Sequence, residues 1–380
     1  MFPTQFTGAS FTWERKKLGI YVPITMGQSP NSKNYTNNPR DNILVQGNAD
    51  LYNNRVLKRT FTTEVTKIAD RNDILISVRA PVGDIARNKY ESIVIGRGIA
   101  AIKGNNFLYY QLEKMNNSGF WKKYIAGSTF ESITGKDLKS SDIYISNHKE
   151  EKSIGDIFQT LTKTIQLHED HLQFLHSFKS FLLQKMFFDN DIPPLLRFNK
   201  FTEKWNQCKL NDHTIVTMGQ SPNSKNYTNN QTGKILVQGN ADLYKNKILK
   251  RVFTTEVTKT AVKNDILISV RAPVGDIARN QYESVVIGRG IASIKGNDFL
   301  YYQLEKMKNN GFWNKYIAGS TFESITGKDL KNTKIYTTNS DEERKIGNIF
   351  SSLTKIIQLQ EHKIDSLKKL KQFLLQNMFI

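Results

Sequence analysis

Apolar residues recur in steps of three and four along two stretches of the chain, a spacing that predicts amphipathic helices. The first stretch runs from Phe158 to Met186 and the second from Phe350 to Met378. Four heptads of this kind are typical of a coiled-coil seam. About 29 residues at 1.5 Å per residue predict a rod of roughly 43 Å for each stretch.

Polar residues interrupt both apolar patterns and indicate how the two helices pair. A parallel pair in register would stack Lys179 on Lys371, which is unfavourable, whereas an antiparallel pair sets His168 opposite Lys371 and Lys179 opposite Gln360. We therefore expect an antiparallel pair within one chain; two amphipathic helices that each pack on their own domain are the alternative. The other layers of the antiparallel register are apolar: Leu161 with Met378, Ile165 with Leu374, Leu172 with Leu367, and Leu182 with Ile357.

Short runs rich in β-branched residues, bounded by glycine, proline and asparagine, precede the first helical stretch. They predict strands at 43–45, 56–57 with 60–62, 73–78 and 92–95. A helix is expected at about 107–115 and a second at 119–125, followed by a loop at 127–138. These elements indicate an α+β domain of about 145 residues.

The sequence consists of two copies of one unit. The segment from Met26 to Asn38 recurs without change at 218–230, and the same spacing of 192 positions aligns 74–87 with 266–279 and 124–138 with 316–330. We expect two tandem α+β domains at 1–147 and 189–340, long helices at 148–188 and 341–380, and a short stiff linker around 191–194. Two such copies usually pack about a pseudo-two-fold axis.

The net charge of the chain indicates which classes of binding partner to expect. The 380 residues carry 54 Lys and Arg against 35 Asp and Glu, a formal charge of +19, which favours polyanions and nucleic acid above all. A membrane surface is the competing polyanion, but no apolar run of eighteen residues is present. The N-terminus has no apolar core of the signal-peptide type and Cys208 is the single cysteine, so we expect a cytoplasmic chain without a disulfide.

Catalytic and metal-binding motifs are incomplete. Gly135-Lys136 has no earlier glycine at the phosphate-loop spacing, and the histidines His168, His171 and His176 have no counterparts in the second copy. Asp73, Asp84 and Glu91 could form a carboxylate cluster, but turn and edge positions favour structural roles. We expect neither catalysis nor a metal site in this chain.

A polar loop and a set of cations are the candidates for DNA contacts. Gln and Asn can read adenine edges, while Lys, Arg and Ser suit phosphates or guanine. Each of these residues alone is more often solvated. Their recurrence in both copies favours a function, and a recent duplication is the alternative explanation. The candidates of the first copy are Gln28, Ser29, Ser32, Lys33, Tyr35, Lys58, Arg59, Arg79, Arg97, Ser128 and Thr129; those of the second are Gln220, Ser221, Ser224, Lys225, Tyr227, Lys250, Arg251, Arg271, Arg289, Ser320 and Thr321.

Together these motifs resemble the specificity subunit of type I restriction-modification systems across essentially the whole chain. The resemblance rests on 27–30, 72–83 and 127–138, each repeated 192 positions later, and on the Leu-Leu-Gln-x-Met-Phe ends of both helices. It implies two domains that each read half of a bipartite DNA site, held by a helix pair that spaces them and docks modification subunits, two in number. Those partners would bind S-adenosylmethionine, and restriction subunits would add ATP- and Mg-dependent cleavage.

The near identity of the two copies departs from the family pattern, in which the two domains usually differ. Matching readers about a pseudo-two-fold axis predict a near-palindromic, interrupted target with half-sites about one helical turn apart. The alternatives are the specificity subunit of a related type II system and a non-catalytic coiled-coil adaptor whose charge is incidental.

Overall fold

The computed structural model describes residues 13–52, 54–125, 132–189, 192–316 and 324–379. The chain forms two compact units: the first unit consists of Met1–Glu169 with His362–Ile380, and the second unit is Asp170–Glu361. Each unit therefore contains the globular part of one sequence copy and a portion of both long helices.

Thirteen short strands build the described part of the first copy, and thirteen more build the second. Those of the first copy are β1 (Glu14–Lys17), β2 (Ile24–Met26), β3 (Tyr35–Thr36), β4 (Asn42–Val45), β5 (Leu51–Tyr52), β6 (Arg55–Val56), β7 (Thr60–Thr62), β8 (Ile68–Asp70), β9 (Ile74–Ser77), β10 (Ile85–Arg87), β11 (Ser92–Ile95), β12 (Ile99–Ile102) and β13 (Asp142–Ile145). Those of the second copy are β14 (Asn206–Lys209), β15 (Val216–Met218), β16 (Tyr227–Thr228), β17 (Lys234–Val237), β18 (Leu243–Tyr244), β19 (Lys247–Ile248), β20 (Val252–Thr254), β21 (Thr260–Val262), β22 (Ile266–Ser269), β23 (Ile277–Arg279), β24 (Ser284–Ile287), β25 (Ile291–Ile294) and β26 (Lys334–Thr337).

In the first unit the strands form a five-stranded sheet in the order β3-β7-β4-β11-β8 and a four-stranded sheet in the order β10-β9-β12-β2. Neighbours run antiparallel except β4 and β11, which are parallel. The hairpin β5–β6 and the pair β1–β13 complete the unit. The second unit repeats this arrangement as β16-β20-β17-β24-β21, β15-β25-β22-β23, β18–β19 and β14–β26.

Strand β9 shows why the sheets stack in layers. All four of its residues are buried, as expected for a strand covered on both faces. Leu75 points into the core that it shares with Val45 and Ile93 of the five-stranded sheet. Its neighbours Ile74 and Ile76 point the opposite way, into the core on the helical side. The four-stranded sheet is therefore the middle layer of the unit.

Nine α-helices accompany the strands in the described ranges. Asn105 and Asn297 cap the helices that cover the middle sheets, where each side chain accepts a hydrogen bond from a backbone N–H three residues on. The helices are α1 (Leu18–Tyr21), α2 (Asn106–Asn117), α3 (Lys122–Ile125), α4 (Gly135–Ser140), α5 (His148–Met186), α6 (Leu210–His213), α7 (Asp298–Asn309), α8 (Gly327–Lys331) and α9 (Ser340–Met378); short 3-10 turns lie at Ser32–Asn34, Asn48–Asp50, Ser224–Asn226, Asn240–Asp242 and Phe312–Tyr316.

The long helices exceed the rod of roughly 43 Å that the apolar repeat alone predicted. Each has 39 residues, or about 58 Å, because the helix begins some ten residues before the first residue of the apolar repeat. No helix among the described residues is both long and apolar enough to span a bilayer.

Aromatic side chains at the ends of both long helices fill the helical-side cores. In the first unit the Phe379 ring lies 5.2 Å from Phe107 and 5.6 Å from Phe158, centroid to centroid. In the second unit Phe187 repeats these contacts with Phe299 at 5.1 Å and Phe350 at 5.6 Å. The end of each helix thus belongs to the core of the domain that the other sequence copy encodes.

Buried ion pairs fix the same docking. The Lys371 amine lies 2.8 Å from the Glu113 carboxylate of α2 in the first unit, and Lys179 lies 2.8 Å from Glu305 of α7 in the second. All four side chains are between 10% and 15% exposed. The lysines, which the heptad pattern identified only as polar interruptions, hold the long helices to the domains.

Two local predictions were wrong. The segment 127–138 was expected to be a loop throughout, but its last residues begin α4, because Thr134 and Asp137 form a capping box around the first turn. The helix expected at 119–125 begins only at Lys122, because Gly119 takes a positive φ of 71° and forms a turn.

Candidate nucleic-acid interface

Several polar loops meet at one edge of the first unit, where β2, β4 and β11 end and β12 begins. The Gly27 and Gln28 amides donate to the carbonyls of Ile99 and Ile95, both at 2.9 Å, and the Gly98 amide donates to Gln46 at 3.0 Å. We call the loops 27–30, 46–48 and 96–98 the recognition edge; 219–222, 238–240 and 288–290 form the equivalent edge of the second unit, with corresponding bonds of 2.9, 2.9 and 3.1 Å.

Glycine is required where these loops touch. A Cβ on Gly27 would lie 2.1 Å from the Gly96 carbonyl oxygen, and one on Gly98 would lie 2.3 Å from that of Gln46. Both contacts are with backbone atoms, which cannot move without disturbing the strands. The close approach of their backbones holds the loops next to each other at the same edge of the unit.

Four of the predicted DNA-contacting residues come together there. The Ser29 hydroxyl accepts a hydrogen bond from the Arg97 backbone amide at 3.1 Å, and Gln28 and Arg97 are exposed. The Val78 amide donates a hydrogen bond to the Gly98 carbonyl, and this bond places the exposed Arg79 beside the loop 96–98. Equivalent bonds join Ser221 to Arg289 at 3.1 Å and Val270 to Gly290 at 2.9 Å, so the second unit sets Gln220, Ser221, Arg271 and Arg289 in the same places.

Lys58 and Arg59 border the recognition edge. They directly precede β7, whose Thr60 pairs with Leu44 near the end of β4. The Lys58 amine lies 4.4 Å from the centroid of the Tyr90 ring, and the equivalent Lys250 amine lies 4.7 Å from that of Tyr282. Arg59 is exposed, and Arg251 donates to the Ala241 carbonyl at 3.0 Å.

The polar loop after Pro30 divides into solvent-facing and internal residues. Ser32 and Lys33, like Ser224 and Lys225, are exposed. The Asn34 side chain and the Asn31 amide donate to Glu64, both at 2.7 Å, and these bonds lower the pKa of the Glu64 carboxyl. The equivalent Glu256 holds the loop in the second unit, also with a lowered pKa.

Tyr35 has a positioning role in the structure. Its hydroxyl donates to Gln46 Oε1 at 3.2 Å and lies 3.3 Å from the Pro30 carbonyl. The half-buried ring therefore ties the polar loop to the recognition edge; Tyr227 is half-buried at the same place in the second unit. The remaining candidates, Ser128, Thr129, Ser320 and Thr321, lie outside the described residues.

Sequence reasoning missed several polar residues at the recognition edge. Gln46 and Asn48 contribute to it from the loop after β4. Lys136 also lies near it, because the preceding Gly135 packs on Met26, where an added Cβ would lie 3.0 Å from Met26 Cγ. The second unit brings Lys328 beside Met218 in the same way. A Thr-x-x-Asp capping box at 134–137 was the signal that could have revealed the short helix carrying Lys136.

The three acidic residues that could have formed a catalytic cluster serve different parts of the fold. Asp73 accepts a hydrogen bond from the Asp70 amide at 2.9 Å, Asp84 accepts from the Asn48 and Asn116 side chains, and Glu91 pairs with Arg71 at 2.5 Å. Within the described ranges, no group of three or more His, Cys, Asp or Glu side chains is arranged to hold a metal ion.

The fold and the site define a protein with two tandem α+β domains, each of which carries the same polar and basic edge. The sequence matches the family described as type I restriction modification DNA specificity domain twice, over residues 11–176 and 202–369. The chain belongs to this family of type I restriction-modification specificity subunits.

Two curated relatives come from Methanocaldococcus jannaschii. One, named provisionally as the type I restriction enzyme MjaX specificity subunit, is 36% identical over 167 residues, covering 41% of this chain and 38% of the relative. The other, the type I restriction enzyme MjaIX specificity subunit, is 27% identical over 126 residues, covering 31% of this chain and 28% of the relative. The matches thus span less than half of the length of either relative.

Solved structures share the fold across almost the full chain. The S subunit of a type I restriction-modification system from M. genitalium has a TM-score of 0.69 at 16% identity, covering 100% of this chain and 99% of that one. A chain from a study of complex assembly and conformational transition of the type I system has a TM-score of 0.58 at 20% identity, with 96% of both chains covered.

Proposed function

We propose that this chain is a sequence-specific DNA-binding subunit that supplies target recognition to a type I restriction-modification complex. The observation that carries the proposal is the recurrence of one recognition edge in both units, with the same glutamine, serine and arginine residues at each position. The formal charge of +19 supports a DNA partner, because counterion release favours polyanion binding.

The chemistry of the edge suits base reading as well as phosphate binding. Gln28 and Gln46 can pair with adenine in the major groove, and Arg97 can bind guanine through two parallel hydrogen bonds. Arg79 and Lys136 flank these groups and suit backbone phosphates. Buried strands fix the backbone that carries these side chains. The edge is therefore preorganised, and its backbone loses little conformational entropy on binding.

Matching edges imply matching half-sites. Two readers related by a pseudo-two-fold axis would bind inverted copies of one sequence, giving a bipartite, near-palindromic target with half-sites about one helical turn apart. The two edges differ little in chemistry, so the half-sites should be recognised with nearly equal affinity.

The long helices would pair antiparallel as a coiled coil that spaces the readers. Contacts inside each unit support this orientation. In the second unit Leu182 and Ile357, partners in the sequence-based register, belong to one apolar cluster with Leu175 and Leu353. In the first unit the Lys368 amine lies 2.6 Å from Glu169. Both contacts join a late residue of one helix to an early or central residue of the other.

Catalysis would belong to partner subunits. Modification subunits, two in the expected complex, would bind S-adenosylmethionine and methylate adenine, while restriction subunits would bind ATP and Mg and cleave. Phe181 and Phe373, at matching helix positions, are 48% and 59% exposed and are candidate contacts for those partners. The related complex-assembly structure supports docking of this kind.

Salt titration of duplex binding tests DNA recognition directly. Six to ten phosphate contacts would lower the affinity by about 10³ to 10⁵ between 50 and 200 mM salt. Fluorescence anisotropy with a labelled duplex that carries the target measures the slope. A coiled-coil adaptor with incidental charge would show no such dependence, and that result would reject the proposal.

A further inference from the structure

The second unit carries a series of lysines that leads away from its recognition edge. A groove beside the edge is lined by Lys209, Lys328 and Lys331, together with Met218 and Asp212. Asn332 joins this groove to a cavity of about 630 Å³, whose lining includes Lys315 and Lys334. We call Lys209, Lys315, Lys328, Lys331 and Lys334 the lysine strip.

The strip begins at the recognition edge because of how α8 is held. Gly327, the first residue of α8, lies against Met218, and Met218 directly precedes the edge loop at Gly219. Lys328 and Lys331 lie on this helix, and Lys334 begins β26. The helix covers about 7 Å over its five residues, so the strip extends the basic surface outward from the edge.

All five lysines are exposed. Lys315 lies over the Phe312 ring at 3.7 Å from its centroid, and none of the five forms an ion pair with a carboxylate in the described part of the chain. Lys306, which also lines the cavity, is different: its amine contacts the carbonyls of Phe187 and Phe188 and lies 3.5 Å from Asp189, so it is engaged inside the fold.

The first unit keeps four of the five lysines, as Lys17, Lys123, Lys136 and Lys139, but its strand pair β1–β13 differs from β14–β26. At the position of Lys334 it has Asp142, which forms ion pairs with Arg15 and with Lys17, the latter at 2.7 Å. These bonds hold the pKa of the Asp142 carboxyl at about 2. Arg15 and Lys17 are therefore paired with a carboxylate that is ionised at neutral pH. In the second unit Gln207 replaces Arg15, while Lys209 and Lys334 have no carboxylate partner among the described residues.

We infer that the lysine strip binds the phosphate backbone of duplex DNA that flanks the half-site read by the second unit. The inference rests on the proposed function and adds an asymmetry to it: the two readers are alike at the bases, but the second unit holds the DNA beyond its half-site more strongly. Charge complementarity and continuity with the recognition edge select the DNA backbone as the occupant.

Flank length is the variable that tests the strip in the full chain. The affinity is measured for a minimal duplex that ends at the target and for duplexes extended by about ten base pairs at both ends. We expect the extension to raise the affinity of the wild type about tenfold at low salt and to steepen its salt dependence. The double variant Lys331→Gln with Lys334→Gln should lose most of this gain and bind the minimal duplex as the wild type does.

The first unit provides the matched variants. Lys139→Gln, at the position of Lys331, removes one lysine beside an already paired strand and should reduce the flank effect less than the double variant does. Asp142→Lys should increase the effect by releasing Arg15 and Lys17. These positions are exposed or at the surface, and thermal unfolding verifies that each variant is folded.

Three results would overturn the inference. The double variant could keep the full flank effect, or it could lose affinity equally on the minimal duplex, which would assign the lysines to the target itself. Inorganic pyrophosphate could bind the wild type but not the double variant while flank length had no effect, which would assign the strip to a small phosphate ligand. If the wild type binds no duplex in a salt-dependent way, the proposed function fails, and that outcome is distinct from these three.

Discussion

The recognition edges and the β1–β13 and β14–β26 strand pairs have diverged to very different extents since the two copies arose. At the edges Gln28, Ser29 and Arg97 recur as Gln220, Ser221 and Arg289. At the strand pairs Glu-Arg-Lys-Lys at 14–17 becomes Asn-Gln-Cys-Lys at 206–209, and Asp142 becomes Lys334. The fold tolerates both versions of the strand pair, because their backbone pairing is the same.

Substitutions should therefore act equally in the two units at some positions and unequally at others. Residues that dock the long helices or form the recognition edges are duplicated, so matched changes should have matched effects. Changes at the diverged strand pairs should affect one unit alone.

The largest expected effect concerns the buried ion pairs. Replacing Glu113 or Glu305 with Ala leaves the amine of Lys371 or Lys179 without its partner in a mostly buried site. Each change should lower the free energy of unfolding of its unit by about 3 kcal/mol. Urea denaturation of both variants measures this loss, and Glu91→Ala, at a carboxylate that is 84% exposed, is the control.

Unequal losses of stability would show that the two units are not equivalent. Loss in only one of the two variants would mean that the helix ends dock differently in the two units. A stability equal to that of the wild type in both would mean that the ion pairs do not hold the helices.

The next effect concerns DNA affinity. Arg97→Ala and Arg289→Ala should each weaken target binding by about 2 kcal/mol, or roughly 30-fold, because each removes a cation from an equivalent reading position. Anisotropy titrations at fixed salt measure both losses. Lys89→Gln is a natural control, since the second copy already has Gln281 there. A loss confined to one arginine would contradict a near-palindromic target.

The smallest effect is acid sensitivity confined to the first unit. Ion pairs with Arg15 and Lys17 lower the pKa of Asp142 to about 2 from an ordinary 3.8. A lowered pKa in the folded state adds stability above pH 4 that is lost as the pH falls toward 2. Because Arg15 is 63% exposed, the contribution should be under about 1 kcal/mol.

Unfolding midpoints between pH 2 and 5 test this assignment. Asp142→Asn should flatten the pH dependence slightly, whereas Lys334→Gln, at the equivalent position, should leave it unchanged because it removes no carboxylate. An unchanged slope in Asp142→Asn would show that the ion pairs are not formed in solution.

Much of the fold could be predicted from the sequence because its signals are local. The heptad steps predicted both long helices, the β-branched run at 92–95 matches β11, and the repeat predicted two copies of one domain. Strand β1 was missed, since Glu14–Lys17 contains no apolar residue and becomes a strand only through pairing with Asp142–Ile145. Tertiary pairing outweighs propensity in such an edge strand.

The candidate site was predictable in part. The repeated polar loop indicated Gln28 and Ser29, but nothing local joins them to Arg97, which reaches Ser29 through a backbone bond across 68 positions of sequence. Nor does the sequence show that Phe379 packs on Phe107, since that contact depends on the path of the long helices. Long-range contacts of this kind require the folded chain.

Single-molecule methylation mapping of DNA from cells that express this chain with its cognate modification subunit tests DNA recognition by the two matching units. Two equivalent recognition edges should give N6-methyladenine in a motif with matching, inverted halves separated by a fixed gap. A methylated motif with two unrelated halves would contradict the equivalence of the two recognition edges, and the absence of any motif, although the subunits co-purify, would contradict DNA recognition by this chain.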